Sequence, residues 1–158
     1  RIAPNICYED LFGEELAARF ADPAQAPTVM VNFSNIGWFG NTLAIDQHLQ
    51  ISRMRTLELE RPMVRATNTG ATAIIDHRGV VTHQLERHTR GVLRAQVQGR
   101  GQGVSADDAI TPFAWWASRW GLWPLWCAGL LVVCVAWVAR RRGPVPGGHS
   151  RHLPFGLE

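Results

Sequence analysis

One segment limits the possible folds of this 158-residue chain more than any other. Residues 121–139 contain 19 uncharged residues, and Arg119 and Arg140 flank them. As an α-helix the segment would be roughly 28 Å long, close to the ~30 Å hydrocarbon thickness of a bilayer. The alternative is a core helix, but a small domain has little room to bury an uncharged helix on every side. We therefore predict a transmembrane helix over residues 119–140.

The residues around this segment predict its orientation. Tryptophans lie near both of its ends, as in the aromatic belts of membrane proteins: Trp115, Trp116, Trp120, Trp123, Trp126 and Trp137. Arginines occupy positions 140–142, whereas Asp107 and Asp108 precede the segment. Because positive flanks stay in the cytoplasm, we expect residues 141–158 to form a cytoplasmic tail and the rest to lie on the outer side. The tail is rich in proline and glycine, which is typical of disorder.

Residues 1–98 have the alternating pattern of an α/β domain. Short apolar or β-branched runs predict strands at 2–7, 28–34, 63–68, 72–75, 80–85 and 92–97. Helical stretches follow the first strand, to about Phe20, and occupy residues 43–60 before Pro62. Residues 76–79 (DHRG) are typical of a tight hairpin turn. The glycine-rich start of residues 99–118 predicts a linker.

The charged residues exclude some classes of function. All 16 basic residues are arginine, because the chain contains no lysine, and they are scattered along the chain against 13 acidic residues. This mild excess does not predict a nucleic-acid-binding surface. The three cysteines do not suit a disulfide framework, and the six histidines lack metal-ligand spacing, so we expect neither a metal nor another cofactor. Glu58 and Glu60 are expected to form ion pairs with Arg61 and Arg65.

Cys7 is the first candidate for chemistry. It lies where an apolar strand gives way to a helix, and Tyr8, Glu9 and Asp10 follow it. A helix N-terminus favours a thiolate, but a thiol with an ordinary pKa near 8.5 is only a few per cent ionised at neutral pH. A nucleophile here would therefore need a base. The residues alone leave two interpretations open, a nucleophile or a small buried side chain.

Several motifs together resemble the nitrilase, or carbon–nitrogen hydrolase, superfamily. They are residues 6–9 (ICYE), 13–14 (GE), 32–35 (NFSN), 38–40 (WFG), 53–58 (RMRTLE) and 65–70 (RATNTG). Thr111-Pro112, the WPLW at 123–126 and the apolar segment narrow the resemblance to the apolipoprotein N-acyltransferase family of the bacterial inner membrane. The resemblance implies the C-terminal half of a nitrilase-type α-β-β-α sandwich, followed by one transmembrane helix. It also implies a catalytic domain on the periplasmic side of that membrane.

The resemblance also implies a reaction. Cys7 matches the nucleophile, which takes an acyl chain from a phospholipid as a thioester. The chain is then passed to the N-terminal amine of a diacylglyceryl-cysteine apolipoprotein. Glu9 matches a supporting acid near the nucleophile, although a helix-start carboxylate would explain it as well. Tyr8, Trp38 and Phe39 match substrate-binding positions, with packing as the alternative for each.

The chain departs from the family pattern in its catalytic triad. The family uses a Glu as general base and a Lys at the oxyanion, both N-terminal to the cysteine. Six residues precede Cys7, none of them Glu, and lysine is absent throughout. We therefore expect the chain to be a C-terminal fragment that is inactive alone.

Two other functions stay open from the sequence. A membrane-anchored nitrilase-like amidohydrolase would release free acid without an amine acceptor. A catalytically dead nitrilase-like binding module would suit the missing base and lysine, but not the intact Cys7-Tyr8-Glu9. The sequence does not determine the oligomeric state.

Overall fold

A computed structural model describes residues 1–101 and 110–141, and its centre is a five-stranded sheet. The strands are β1 (Ile2–Ile6), β2 (Val29–Ser34), β3 (Met63–Thr67), β4 (Ala73–Ile75) and β5 (Val81–Gln84), and they follow this order across the sheet. β1, β2 and β3 are parallel, and β3, β4 and β5 pair in antiparallel fashion. The predicted α/β class is confirmed.

Helices connect the parallel strands because parallel neighbours need a crossover. α1 (Gly13–Ala17) lies between β1 and β2, and α2 (Ala44–Leu59) lies between β2 and β3. α2 ends where Glu60 adopts a left-handed conformation with φ 47°, two residues before Pro62. The predicted helix at 43–60 therefore has almost the expected bounds.

The main core lies where α1 and the turn after it meet the sheet. Leu16, Ala17 and Phe20 pack there with Met30 and Met63, all of them buried. Burial of these apolar side chains is the main force that holds the first crossover on the sheet.

A further helix, α3 (Pro112–Trp120), packs against this core through Ala114 and Ala117. It begins within residues 99–118, where a linker was expected. The Thr111 hydroxyl accepts a hydrogen bond from the Ala114 N–H at 3.1 Å, and Pro112 occupies the first turn, so the helix start is capped. Small alanines on one face then allow close packing. Residues 102–109 of the expected linker lie outside the described residues.

The hairpin predicted at residues 76–79 is confirmed. The Asp76 carboxylate accepts hydrogen bonds from the N–H groups of Arg78 and Val80, both at 2.9 Å. Gly79 has φ 75°, which suits a residue without a Cβ. The strand predicted at 92–97 is wrong, because those residues pair with no strand in the described part of the chain and Val92 is exposed.

α4 (Trp123–Arg141) belongs to a second unit, which begins after Gly121. Within residues 1–101 and 110–141 it is the one helix that is long and apolar enough to cross a membrane, by length and composition. The predicted span began at residue 119, but Gly121 has φ 51° and separates α3 from α4. The predicted tail beyond Arg141 lies outside the described residues.

Candidate active site

Cys7 occupies a strained position at the end of β1. It begins a 3-10 helix (Cys7–Leu11) and has φ 53°, in the left-handed region that side chains other than glycine rarely adopt. Such a conformation costs on the order of 1–3 kcal/mol and persists only where the surroundings fix it. Strained residues of this kind cluster at functional sites, which makes the Cys7 turn the first place to look for chemistry.

Asn32 of β2 holds this turn in place through hydrogen bonds. Its amide Nδ2 donates to the Cys7 carbonyl oxygen at 3.0 Å and to the Asn5 side-chain oxygen. Its Oδ1 accepts a hydrogen bond from the Ser34 hydroxyl. Asn5 and Asn32 are register partners on β1 and β2, and both are fully buried. The parallel pairing of β1 and β2 therefore positions Asn32 for the hydrogen bond that holds the Cys7 backbone.

An open cavity of about 640 Å³ lies beside Cys7. Four of the residues predicted from the sequence line it together: Cys7, Tyr8, Trp38 and Phe39. The exposed surface of the cavity is mainly apolar, although three of the six other lining residues are polar. These six residues come from three segments: Leu11, Asn35, Ala44, Gln47, His48 and Ile51. A mainly apolar cavity around a cysteine suits a substrate with a long hydrocarbon portion.

The loop that carries Trp38 and Phe39 is held at its base. Asn68 accepts a hydrogen bond from the Ile36 N–H at 3.1 Å and donates one to the Asn35 side chain at 2.7 Å. Ile36 is fully buried, whereas Trp38 is 82% exposed. The loop therefore has a fixed stem and an exposed aromatic tip at the cavity.

Glu9 lies beside the cavity rather than among its lining residues. Its carboxylate accepts a hydrogen bond from the Ile6 N–H at 2.6 Å, which closes the first turn of the 3-10 helix. Tyr8 is exposed, and its ring packs edge-on against Phe12 with 6.3 Å between the centroids. The structure thus places Glu9 against the backbone that leads into Cys7.

A buried polar cluster, which sequence reasoning missed, lies behind the same turn. Asp10, the buried residue of the 3-10 helix, accepts hydrogen bonds from the Ser52 hydroxyl and from Arg65 Nη1, the latter at 3.3 Å. Its other carboxylate oxygen is 2.8 Å from His48 Nε2. We call these four residues the Asp10 cluster. Its members come from the Cys7 turn, from α2 and from β3.

The contacts within the cluster define the state of His48. Arg65 Nη2 lies 2.9 Å from His48 Nδ1, and an arginine can only donate. His48 Nδ1 therefore accepts, and Nε2 carries the proton that is donated to Asp10. Ser52 donates to Asp10 rather than to a histidine nitrogen, so the cluster is not a serine–histidine–aspartate relay.

The charges of the cluster are almost fully enclosed. The side chains of Asp10 and Arg65 are both 0% exposed. Burial lowers the pKa of the Arg65 guanidinium below its usual value, and the charges of Asp10 and Cys7 offset this only in part. Arg65 was expected to pair with a nearby glutamate, but Glu58 instead pairs with Arg55 and Glu60 with Arg100. The buried carboxylate of Asp10 is the stronger partner because water does not compete there.

The geometry can support nucleophilic chemistry at one thiol. Cys127 and Cys134 are exposed on α4, in the other unit. In the described ranges no group of three or more His, Cys, Asp or Glu side chains could hold a metal ion. Cys7 therefore stands out as a strained, half-buried cysteine that lines a mainly apolar cavity next to a buried ion pair.

Comparison with known proteins finds relatives of this chain. A family model described as carbon–nitrogen hydrolase matches residues 1–104. An apolipoprotein N-acyltransferase of Verminephrobacter eiseniae is 82% identical over 122 residues, which are 77% of this chain and 23% of that protein. Proteins of the same name from Ralstonia nicotianae and Bordetella bronchiseptica are 52% and 51% identical, over 90% and 91% of this chain and 25% of each relative. The chain spans about a quarter of the length of these curated relatives.

Proposed function

Because the chain belongs to the carbon–nitrogen hydrolase family, we propose that it contributes the nucleophilic cysteine of an apolipoprotein N-acyltransferase. The proposal rests most on one observation, that Cys7 in its strained turn lines a mainly apolar cavity with the exposed Trp38 loop at its side. The names of the similar proteins support the same reaction. The substrates would be a phospholipid acyl donor and an apolipoprotein acceptor.

The proposed reaction has two acyl-transfer steps. The Cys7 thiolate attacks the ester carbonyl of a phospholipid, the carbon–oxygen bond breaks, and the lysophospholipid leaves with a proton. The acyl chain is then bound to Cys7 as a thioester. The amine of a diacylglyceryl-cysteine attacks that thioester, the carbon–sulfur bond breaks, and the amine proton returns to the thiol. Splitting the transfer in this way predicts ping-pong kinetics.

The side chains around Cys7 suit these steps. An acyl chain that fills the cavity excludes water from the thioester, which favours attack by the amine over hydrolysis. Trp38 and Phe39 offer apolar contact to the chain, and Tyr8 contributes to the same wall. Glu9 orders the backbone before Cys7 and is proposed as a supporting acid.

Two catalytic groups must come from elsewhere under this proposal. The family triad includes a glutamate base and a lysine at the oxyanion, and this chain has no lysine. We propose that both act on Cys7 from residues that are not in this sequence. The 158 residues alone are therefore expected to lack acyl-transfer activity.

We also propose that α4 crosses the bacterial inner membrane. Its 19 residues match the bilayer core in length, and Arg140 and Arg141 end it. The positive-inside rule favours a cytoplasmic position for these arginines, and on that basis the Cys7 domain is proposed to lie on the periplasmic side.

Replacement of the nucleophile tests the proposed function. In the full-length protein, purified in detergent, Cys7→Ala should abolish acyl transfer from phospholipid to a diacylglyceryl-cysteine peptide. Cys127→Ala, which removes a thiol of α4, is the matched control and should retain activity. Transfer that persists in Cys7→Ala would contradict the assignment. Release of free fatty acid at the same rate with and without acceptor would favour the amidohydrolase instead.

A further inference from the structure

The two sides of α3 are reversed from those of an ordinary surface helix. A helix at the surface of a globular domain usually turns its large apolar side chains inward and its polar side chains outward. The buried side chains of α3 are the small ones of Ala114 and Ala117. Its tryptophans are exposed, Trp115 by 48%, Trp116 by 45% and Trp120 by 54%. The larger apolar surface of this helix therefore points away from the core of the domain.

The exposed side chains of α3 form one continuous face. Residues three and four positions apart lie on the same side of a helix, and this spacing joins five exposed positions. We call these five residues the tryptophan face: Pro112, Trp115, Trp116, Arg119 and Trp120. Arg119 is the one charged residue of α3, and its guanidinium carbon lies 5.1 Å from the centroid of the Trp115 ring. The face therefore combines a broad aromatic surface with a single cation.

α3 is joined firmly to the domain that carries Cys7. The Thr111 hydroxyl, at the start of the helix, donates a hydrogen bond to the Glu58 carbonyl oxygen of α2 at 2.6 Å. On its buried side, Ala114 and Ala117 pack into the core that contains Phe20. Small side chains at these two positions allow close packing. Any surface that binds the tryptophan face therefore binds the Cys7 domain as well.

The chemistry of the tryptophan face fits the interfacial layer of a lipid bilayer. Tryptophan combines an apolar ring with one N–H donor, and it is enriched where the hydrocarbon meets the headgroups. An arginine beside such rings can keep its stem on apolar surface while its guanidinium binds a headgroup phosphate. Short helices with this combination of residues are typical of segments that lie in the plane of the interface.

The position of α3 in the chain favours lipid over another protein as the partner. α4, which is long and apolar enough to cross a membrane, begins at Trp123, three residues after Trp120. Three residues of extended chain span at most roughly 10 Å. A bilayer that α4 enters is therefore within reach of the tryptophan face.

We propose that α3 is an interfacial helix: its tryptophan face lies in the headgroup layer of the bilayer that α4 crosses, and it attaches the Cys7 domain to that surface. This inference rests on the proposed membrane crossing of α4 and goes beyond it. A single span fixes where the domain is attached to the membrane but not which of its surfaces meets the lipid. A second contact through α3 selects that surface.

Fluorescent labels at single cysteines test this placement. Full-length protein with every native cysteine replaced by serine receives one new cysteine for a nitrobenzoxadiazole label and is reconstituted into vesicles of phosphatidylethanolamine and phosphatidylglycerol. Trp116→Cys and Trp120→Cys place the label on the tryptophan face, and each leaves two tryptophans there. Val132→Cys places it in the middle of α4, and Gln84→Cys places it at an exposed position of β5 as the matched control. A cooperative thermal transition establishes that each variant is folded.

The label is quenched by iodide from the water or by lipids that carry a nitroxide, either on the headgroup or deep in the acyl chain. Labels at positions 116 and 120 should be quenched more by the headgroup nitroxide than by the acyl-chain nitroxide. Iodide should quench them about threefold less than it quenches the label at position 84. With the label at position 116, Trp115→Ser together with Trp120→Ser should raise iodide quenching about threefold, because the remaining face binds lipid weakly.

Three results would overturn the inference. Iodide quenching at positions 116 and 120 equal to that at position 84, with no quenching by either lipid, would place the face in water. Protection from iodide and from both lipids would show that another protein surface covers it, such as a second copy of the chain. Lipid quenching at position 116 that does not change when the other two tryptophans are replaced would show that the tryptophans do not hold the helix there.

The label in α4 separates this inference from the proposed function. Stronger quenching at position 132 by the acyl-chain nitroxide than by the headgroup nitroxide supports the crossing of α4, whatever the labels on α3 show. Absence of lipid quenching at position 132, with headgroup quenching at 116 and 120, would refute the crossing and leave the lipid contact of α3 in place. None of these readouts requires acyl transfer, so the proposed role of Cys7 does not affect them.

Discussion

Replacement of Asn32 by alanine tests how the sheet holds the Cys7 turn. Asn32 is fully buried and makes hydrogen bonds to Asn5, to the Cys7 carbonyl and from Ser34. The Asn32→Ala variant removes all of these bonds at once. The Asn5 oxygen and the Ser34 hydroxyl are then buried without this partner, and the left-handed turn loses this hydrogen bond to β2.

The size of the effect follows from burial. Each buried polar atom that loses its partner costs about 1–3 kcal/mol, while the partly buried Cys7 carbonyl costs less because water can reach it. The free energy of unfolding should therefore fall by about 2–6 kcal/mol in Asn32→Ala. Asn41 is exposed, and its side chain has no hydrogen bond within residues 1–101 and 110–141, so Asn41→Ala should stay within about 0.5 kcal/mol of the parent.

Urea unfolding of the full-length protein in detergent, followed by tryptophan fluorescence, measures both changes. Acyl transfer is measured on the same samples under folding conditions, and Asn32→Ala should lose more activity than Asn41→Ala because Cys7 is no longer held. Equal free energies of unfolding in the two variants would refute the structural argument. So would full transfer activity in an Asn32→Ala protein that is clearly destabilised.

Two further predictions concern the cavity and a half-buried carboxylate. Trp38→Ala should raise KM for the phospholipid donor about tenfold, because a large apolar contact is lost at the cavity. The control variant Trp116→Ala should leave this KM unchanged. Equal KM values in the two variants would exclude Trp38 from donor binding. Burial raises the pKa of Glu58 above its usual value, and the charge of Arg55 offsets this only in part. Because the folded state then binds the proton more tightly than the unfolded state does, the protein loses stability as the pH rises from the usual pKa of Glu58 through its raised pKa. The stability of Glu58→Gln relative to the parent should therefore increase with pH above about 4.5, as measured by thermal unfolding, and a flat or falling difference would contradict this.

Local patterns in the sequence predicted most of the fold. β-branched runs, the apolar spacing of residues 43–60 and the turn at 76–79 each indicate structure that depends on near neighbours. α3 was missed because a glycine-rich start and tryptophans at its exposed face obscure the two alanines that pack on α1 and the core. Residues 92–97 pair with no strand in the described part of the chain, so their composition alone was not enough to predict a strand.

The sequence likewise predicted only part of the candidate site. Cys7, Tyr8, Trp38 and Phe39 lie in short motifs, and the structure brings them to one cavity. The Asp10 cluster joins Asp10 to partners that lie 38 to 55 positions further along the chain, so no local spacing reveals it. The signal available was weak: His48 and Ser52 are four residues apart on one predicted helix, and Arg65 follows in the next strand. Their meeting depends on the register of β3 against β2, which a single sequence does not fix.

The central claim is that Cys7 carries the acyl chain between donor and acceptor. Its most direct test is mass spectrometry of the full-length protein after incubation with a phospholipid that bears only palmitoyl chains. The account predicts an added mass of one palmitoyl group on the peptide that contains Cys7, removed by neutral hydroxylamine and discharged when a diacylglyceryl-cysteine peptide is added. An adduct on another residue, or transfer to the acceptor with Cys7 never acylated, would contradict it.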